Sequence, residues 1–492
     1  MPQQSLKEKT VSGVGWSAAD AFLGHGVTFL VGLVLARLLT PSEYGLIGIV
    51  SIFVVVLSSI VDSGFSNALI RKKDTSNDDY NTMFITNMVM SIVLYVVLFF
   101  SAPAVAGFFE RKELVDLLRV MGLILIIQAL SLTQVTILTK RIDFKTKTKA
   151  SVSAAIISGV IGIVMAFCGY GVWSLVGQQI SNKLVYTLGL WFLNKWWPTL
   201  RFNKSSFHYM WGFGWKLMVS GLLNNIWGQL YRVVVGKFYN PATLGQYTRA
   251  GEYSSLLSSN FTSIIQRVSY PALAQVQDDK VRMVSAYRKV IKTTMFVTCV
   301  SMLFMAAIAE PLIYCLIGSQ WHIAATFLPL ICLSQSLYPL HAINLNMLQV
   351  QGRSDILLVL EIVKKILGLF PLVVGVFIGI YWMLVASLLF GFMCFLLNSY
   401  YTGKQLNYSS WSQLKDVAPS YGIGFVIAIC VYFFKYLPIS NYVILPIQIL
   451  VGICVFFIVC ERIKMEEYFE VKGIALQYIS KLKFKKRNNI KK

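Results

Sequence analysis

Seven cations stand inside long apolar stretches of this chain: Lys183, Lys216, Arg232, Arg249, Arg267, Lys364 and Lys365. The acidic residues at comparable depth are Asp20, Asp62, Glu252 and Glu361. A charged side chain at bilayer depth costs at least ~2.5 kcal/mol on insertion scales, so such residues face a partner or a cavity. The excess of cations suits an anionic cargo. Fixed Lys and Arg can replace the hydration of a phosphate, Arg by bidentate contact and Lys as a point charge.

Neutral polar groups accompany them. Asn224, Asn225, Trp227 and Gln229 cluster in one stretch, and Asn344, Asn346 and Gln349 in another. Amides and aromatic faces suit sugar hydroxyls and rings; helix–helix hydrogen bonding is the alternative use. Arg249 and Glu252 are three residues apart, as are Glu361 and Lys364, so each couple can pair on one helix face. Asp20, His25, Asp62, Glu252 and Glu361 are the candidates for ion coupling. His titrates near neutral pH, and a buried carboxylate can hold its proton. Packing remains the competing role for His25, and holding a loop the competing role for Asp62.

The elements that position these groups are fourteen apolar stretches: 14–39, 45–70, 82–106, 115–138, 151–168, 170–193, 211–237, 244–276, 287–309, 323–349, 355–378, 380–402, 416–436 and 441–461. A helix needs about 20 apolar residues to cross a bilayer, and only closed backbone hydrogen bonding survives there. The expected fold is therefore an all-α integral membrane protein. With 56% hydrophobic and 13% charged residues, the composition does not fit a soluble domain.

Lys and Arg fix the orientation. Placing the N-terminus in the cytoplasm gives inner segments rich in cations: Lys7 and Lys9, Arg71 to Lys73, Lys140 to Lys149, Lys280 to Lys292, and a basic tail after Glu461. The outer loops hold only Arg111, Lys112, Lys237 and Lys435. The positive-inside rule then puts both termini in the cytoplasm. The net charge of +22 borders the spans, which favours anionic lipid over nucleic acid as its partner. The eight cysteines form no CxxC pair, so neither a metal site nor a disulfide framework is expected, and no cofactor is. The first stretch lacks a cleavage site and is expected to remain as a helix.

An internal repeat is visible. Gly15-Trp16, Thr40-Pro41 and Tyr44-Gly45 recur as Gly214-Trp215, Asn240-Pro241 and Leu244-Gly245. Ala68-Leu69 recurs as Ala272-Leu273, and Val172 to Val176 resembles Tyr381 to Val385. The expected division is an N-lobe over 1–204, a C-lobe over 205–403, two further helices over 404–465 and a basic tail over 466–492. Parallel repeats of this kind relate by an axis along the membrane normal, with substrate between them.

Several segments carry a family resemblance. They are Leu35 to Leu46 (LARLLTPSEYGL), Asp62 to Ile70 (DSGFSNALI), Thr139 to Phe144 (TKRIDF) and Gly169 to Trp173 (GYGVW). Together they resemble the Wzx-type polysaccharide exporters, lipid-linked oligosaccharide flippases of the MOP superfamily. The resemblance implies two pseudo-symmetric six-helix lobes around a central cavity, two extra C-terminal helices, and alternating access without ATP. It implies an undecaprenyl-diphosphate-linked glycan as cargo, in a bacterial inner membrane, with a polysaccharide polymerase or other assembly proteins as further partners. Where the family often has an acidic residue ahead of the stretch Arg232 to Lys237, this chain has Tyr231.

The substrate set expected for the diphosphate and glycan is Lys183, Lys216, Arg232, Arg249, Arg267, Lys364, Asn224, Asn225 and Gln229. A drug or metabolite efflux pump of the same superfamily is the nearest rival, but cationic drugs would favour an acidic cavity. A polysaccharide-polymerising membrane enzyme would need a large outer loop for its catalytic groups, and the spacing of the spans leaves none.

Overall fold

The computed structural model describes residues 6–62, 64–276 and 278–473. Side chains are described at all of these except 6–14, 17–19, 21, 22, 25, 260, 261, 263–272, 274 and 354. The chain divides into two compact units, residues 1–245 and 246–492, and no strand occurs among the described residues.

The first unit is built from α1 (Leu6–Leu38), α2 (Pro41–Asp62), α3 (Phe65–Arg71), α4 (Asn77–Phe109), α5 (Leu114–Lys140), α6 (Phe144–Phe167), α7 (Val172–Asn194) and α8 (Lys204–Phe238). The next helix, α9 (Pro241–Gln275), starts in it. Helix α6 packs on α1 and α7, α5 on α4 and α7, and α2 on α5 and α8. Local sequence sets the helix starts. Ser76 and Asp79 form a capping box at α4, Asp143 caps α6, and Asn203 caps α8. Gly64, at φ 68°, separates α2 from α3, so the expected stretch 45–70 is carried by two helices.

In the second unit follow α10 (Lys280–Ala307), α11 (Ala309–Ile317), α12 (His322–Ser336), α13 (Tyr338–Val350), α14 (Ser354–Leu367), α15 (Leu369–Phe377), α16 (Ile380–Leu406), α17 (Ser410–Tyr432) and α18 (Asn441–Ile463). Helix α10 is central, packed against α12, α13 and α17. The stretch 323–349 is divided at Leu337, just before Pro339, and 355–378 at Gly368. Short α11 is an element beyond the fourteen expected stretches. The core around Tyr287, Met295, Met347 and Phe395 holds a polar knot. The Asn344 side-chain oxygen accepts from Tyr287 Oη (2.8 Å) and Thr402 Oγ1 (2.6 Å), and its amide donates to Gln413 (3.1 Å).

The two copies of the repeat meet at the starts of α2 and α9. A Cβ on Gly45 would overlap the Pro241 carbonyl and stand 2.8 Å from Pro241 Cα. A Cβ on Gly245 would overlap the Pro41 carbonyl and stand 3.1 Å from Gly45 N. Each start carries its own cap: Glu43 accepts from Thr40 N (2.6 Å), and Asn240 accepts from Thr243 N (2.7 Å). Beside them Lys237 donates to Glu110 (2.8 Å), and that hydrogen bond holds the Glu110 carboxyl below its ordinary range.

Candidate functional site

Nine helical stretches among the described residues are long and apolar enough to cross a membrane. Helices α7, α8, α9 and α14 are not among them. These four carry every cationic candidate read from the sequence: Lys183 on α7, Lys216 and Arg232 on α8, Arg249 and Arg267 on α9, Lys364 on α14. Helix α14 is short, at 14 residues, whereas α7, α8 and α9 are long and carry charged and amide side chains along their length, as expected where spans line a polar path.

Helix α8 has the most distinctive geometry. Gly214 presses on Gly64, where a Cβ added at Gly64 would lie 2.6 Å from Gly214 O. Gly236 meets Ile49, with 3.2 Å to the Ile49 side chain. Between these contacts α8 advances 22 residues, Gly214 to Gly236, whereas the α2 side advances 15, Ile49 to Gly64. At 1.5 Å per residue these are about 33 and about 22 Å, so the two contacts bracket a longer run of α8 than of α2. Gly221, midway, has no neighbouring atom within 4 Å of an added Cβ. Ser220-Gly221 is the kind of pair at which helices bend.

Helical spacing sorts the candidates on α8. Asn225, Gln229 and Arg232 follow the i, i+4, i+7 spacing of one face, which continues to Gly214 at one end and Gly236 at the other. They therefore share the face on which Gly214 and Gly236 meet Gly64 and Ile49, and all three are half-buried. Arg232 Nη1 donates to Gln229 Oε1 at 3.1 Å, which fixes the guanidinium without neutralising it. Lys216, Ser220, Asn224, Trp227 and Tyr231 form a second stripe, on which Lys216, Ser220 and Asn224 are exposed.

Within the first unit a second polar group surrounds Asp20. Its Oδ1 is buried and accepts no hydrogen bond among the described residues. Lys147 of α6 and Tyr186 of α7 lie within its electrostatic reach. On α7, Lys183 is exposed and has no ion pair or hydrogen bond among the described residues, while its neighbour Asn182 donates to Ser158 (3.1 Å). Asp62 accepts from Ser66 (2.9 Å), a bond that bridges the break at Gly64.

The second unit treats its candidates differently. Arg249 pairs with Glu252 at 2.7 Å, and Lys364 with Glu361 at 2.5 Å. Both are (i,i+3) pairs, so these two cations and both acids are already matched on their own helices. Lys364 also lies within electrostatic reach of His341 on α13, whose Nδ1 is buried without a hydrogen-bond partner among the described residues. Asn344 is fully buried and saturated by its three partners, which makes it a packing group. His25 and Arg267 lie outside the described side chains.

Two residues escaped the sequence reading. Lys147 counts as a loop cation under the positive-inside rule, yet α6 already begins at Phe144 and lifts Lys147 onto a helix beside Asp20. His341 stands one helical turn before Asn344, and that spacing beside the amide cluster was the available signal.

Comparison with known proteins adds four likenesses. The family described as polysaccharide biosynthesis protein matches residues 34–326. The succinoglycan biosynthesis transport protein ExoT of Rhizobium meliloti (strain 1021) is 27% identical over 334 residues, covering 68% of this chain and 68% of that protein. Among solved structures, the lipid II flippase MurJ in an inward closed conformation superposes with a TM-score of 0.71 at 16% identity, over 90% of this chain and 97% of that one. An inward-facing multidrug resistance MATE transporter of the MOP superfamily gives 0.59 at 15% identity, over 78% and 96%. The structural likenesses are likenesses of fold. The motifs at 35–46, 62–70, 139–144 and 169–173 all fall within the matched residues.

Proposed function

The chain belongs to the polysaccharide biosynthesis protein family, and from that premise we propose that it flips undecaprenyl-diphosphate-linked oligosaccharide units across a bacterial inner membrane by alternating access. It is a multi-pass membrane transporter of MOP-superfamily fold and not an enzyme. The observation that carries the finer reading is the gathering of cations on α7, α8, α9 and α14, none of which is among the nine long apolar stretches.

In this reading Lys183 and Arg232 receive the diphosphate. Arg232 is held in place by Gln229 and offers its remaining N–H groups as a fork, while Lys183 follows the moving charge on a flexible stem. Asn224, Asn225, Trp227 and the exposed Lys216 serve the glycan, whose hydroxyls need donors and acceptors in place of water. The prenyl tail stays in lipid. Both termini lie in the cytoplasm, where Lys and Arg concentrate. Asp20 is the group assigned to ion coupling, because its buried Oδ1 accepts no hydrogen bond among the described residues and is open to an incoming ion.

A deletion strain tests the proposal. It should lose surface polysaccharide and accumulate lipid-linked repeat units on the cytoplasmic side. Normal surface polysaccharide in that strain would refute the function.

A further inference from the structure

On the first unit, α1, α6 and α7 enclose an apolar furrow of about 710 Å³. Trp16, Leu23, Ala150, Leu188, Gly189 and Phe192 line it. Its floor is two small residues in contact, since a Cβ on Gly189 would stand 3.4 Å from Ala150 Cβ. Leu23, Leu188 and Phe192 are exposed along it, so it opens towards hydrocarbon. From Trp16 to Leu23 it runs about 10 Å, roughly a third of the hydrocarbon thickness, and so lies within one leaflet.

One end of this furrow is cationic. Lys149 lines it and is exposed, and Lys145, one turn earlier, is exposed with its ammonium 5.7 Å from the Trp16 ring centre. The intervening Lys147 is committed elsewhere, donating to Thr139 (3.2 Å) and lying over Phe144. The Thr148 hydroxyl is likewise engaged, with Trp16 O (3.0 Å) and Phe144 O (2.9 Å). Two exposed ammonium groups one helical turn apart, neither with a hydrogen bond or ion pair among the described residues, therefore stand at the mouth of a hydrocarbon slot.

We propose that this furrow seats the first part of the prenyl tail of the diphosphate carrier, with Lys145 and Lys149 holding its phosphates before entry. The assignment rests on the cargo proposed above. A tail already in lipid gains nothing from leaving water, so the slot must select by shape and charge. The shape is a slot floored by Gly189 and Ala150, whose small side chains leave room above them for the methyl branches of a prenyl chain. The charge is two cations, which match two adjacent phosphoryl groups better than the single phosphate of a phospholipid headgroup.

Photolabelling decides it. The full-length protein is reconstituted in phosphatidylcholine vesicles with undecaprenyl diphosphate, free of glycan, bearing a diazirine near the start of its tail. Labelling is expected on the α6 and α7 peptides around Ala150 and Gly189. It should drop about tenfold in the Lys145→Ala/Lys149→Ala double variant, the change expected for losing a charge-assisted contact. Val152→Trp, which fills the slot, should also suppress it, and the exposed double-lysine variant keeps the test valid if the tryptophan variant misfolds. Unlabelled undecaprenyl diphosphate should compete, and excess phosphatidylglycerol should not. Labelling elsewhere, labelling unchanged by the lysine substitutions, or equal competition by phosphatidylglycerol would overturn the assignment. Because the probe carries no glycan and needs no translocation, the two readings fail separately. Lost export on deletion without furrow labelling removes the furrow alone, whereas furrow labelling with normal export on deletion removes the transport reading on which the assignment rests.

Discussion

Gly45 and Gly245 bring the first turns of α2 and α9 into backbone contact, each lying against the proline that opens the other helix. They occupy corresponding positions in the two repeats, so one short motif supplies both halves of the crossing. Neither position has room for a methyl group.

Gly45→Ala and Gly245→Ala should each destabilise the protein, because overpacking of this kind costs about 1–3 kcal/mol. Gly107→Ala is the control, since a Cβ there meets nothing within 4 Å. Thermal denaturation in detergent, followed by size-exclusion, checks this. Equal midpoints for all three variants would mean that the crossing adapts freely.

Asn344→Leu should lower stability by about 1–3 kcal/mol, because it leaves Tyr287, Thr402 and Gln413 as buried groups without their shared partner. Surface polysaccharide per folded molecule should be unchanged. Lost export at full stability would instead make Asn344 part of the cargo path.

Lys183→Ala and Arg232→Ala should reduce export about tenfold or more at equal expression, since each removes a charged donor not neutralised by an acid. Arg249→Ala and Lys364→Ala should matter less. Their charges are matched by Glu252 and Glu361, and half-exposed pairs of this sort contribute about 0–1 kcal/mol. Quantifying surface polysaccharide across the four variants, with immunoblots for expression, gives the ranking. The reverse order would move the cargo path to the second unit.

Asp20→Asn should lower export and leave the remainder insensitive to a protonophore, as the amide mimics a permanently protonated carboxyl. Lys147→Met should alter the same sensitivity, because Lys147 lies within reach of Asp20. Export by Asp20→Asn that matches the parent and collapses with uncoupler would remove Asp20 from the coupling path.

Much of the fold was legible in the sequence because bilayer physics leaves few choices. Apolar length gives the spans, and the Pro41 and Pro241 turns give the repeat. The breaks at Gly64, Leu337 and Gly368 were not legible, since the apolar pattern runs through them without a change of period. On the site, the couples Arg249–Glu252 and Glu361–Lys364 followed from spacing alone. The contacts of α8 did not, because they depend on which residues meet Gly214 and Gly236. Lys147 was hidden by the convention that counts it with a loop.

The polar character of α7, α8 and α9 has a consequence for biogenesis. These three helices emerge consecutively from the ribosome, and none partitions strongly into lipid by itself. They should linger beside the insertion machinery until α10, which is apolar, arrives and lets them enter as a group. A chain truncated just before α10 should therefore leave them accessible to water-soluble cysteine reagents, and extending it through Ala307 should restore protection.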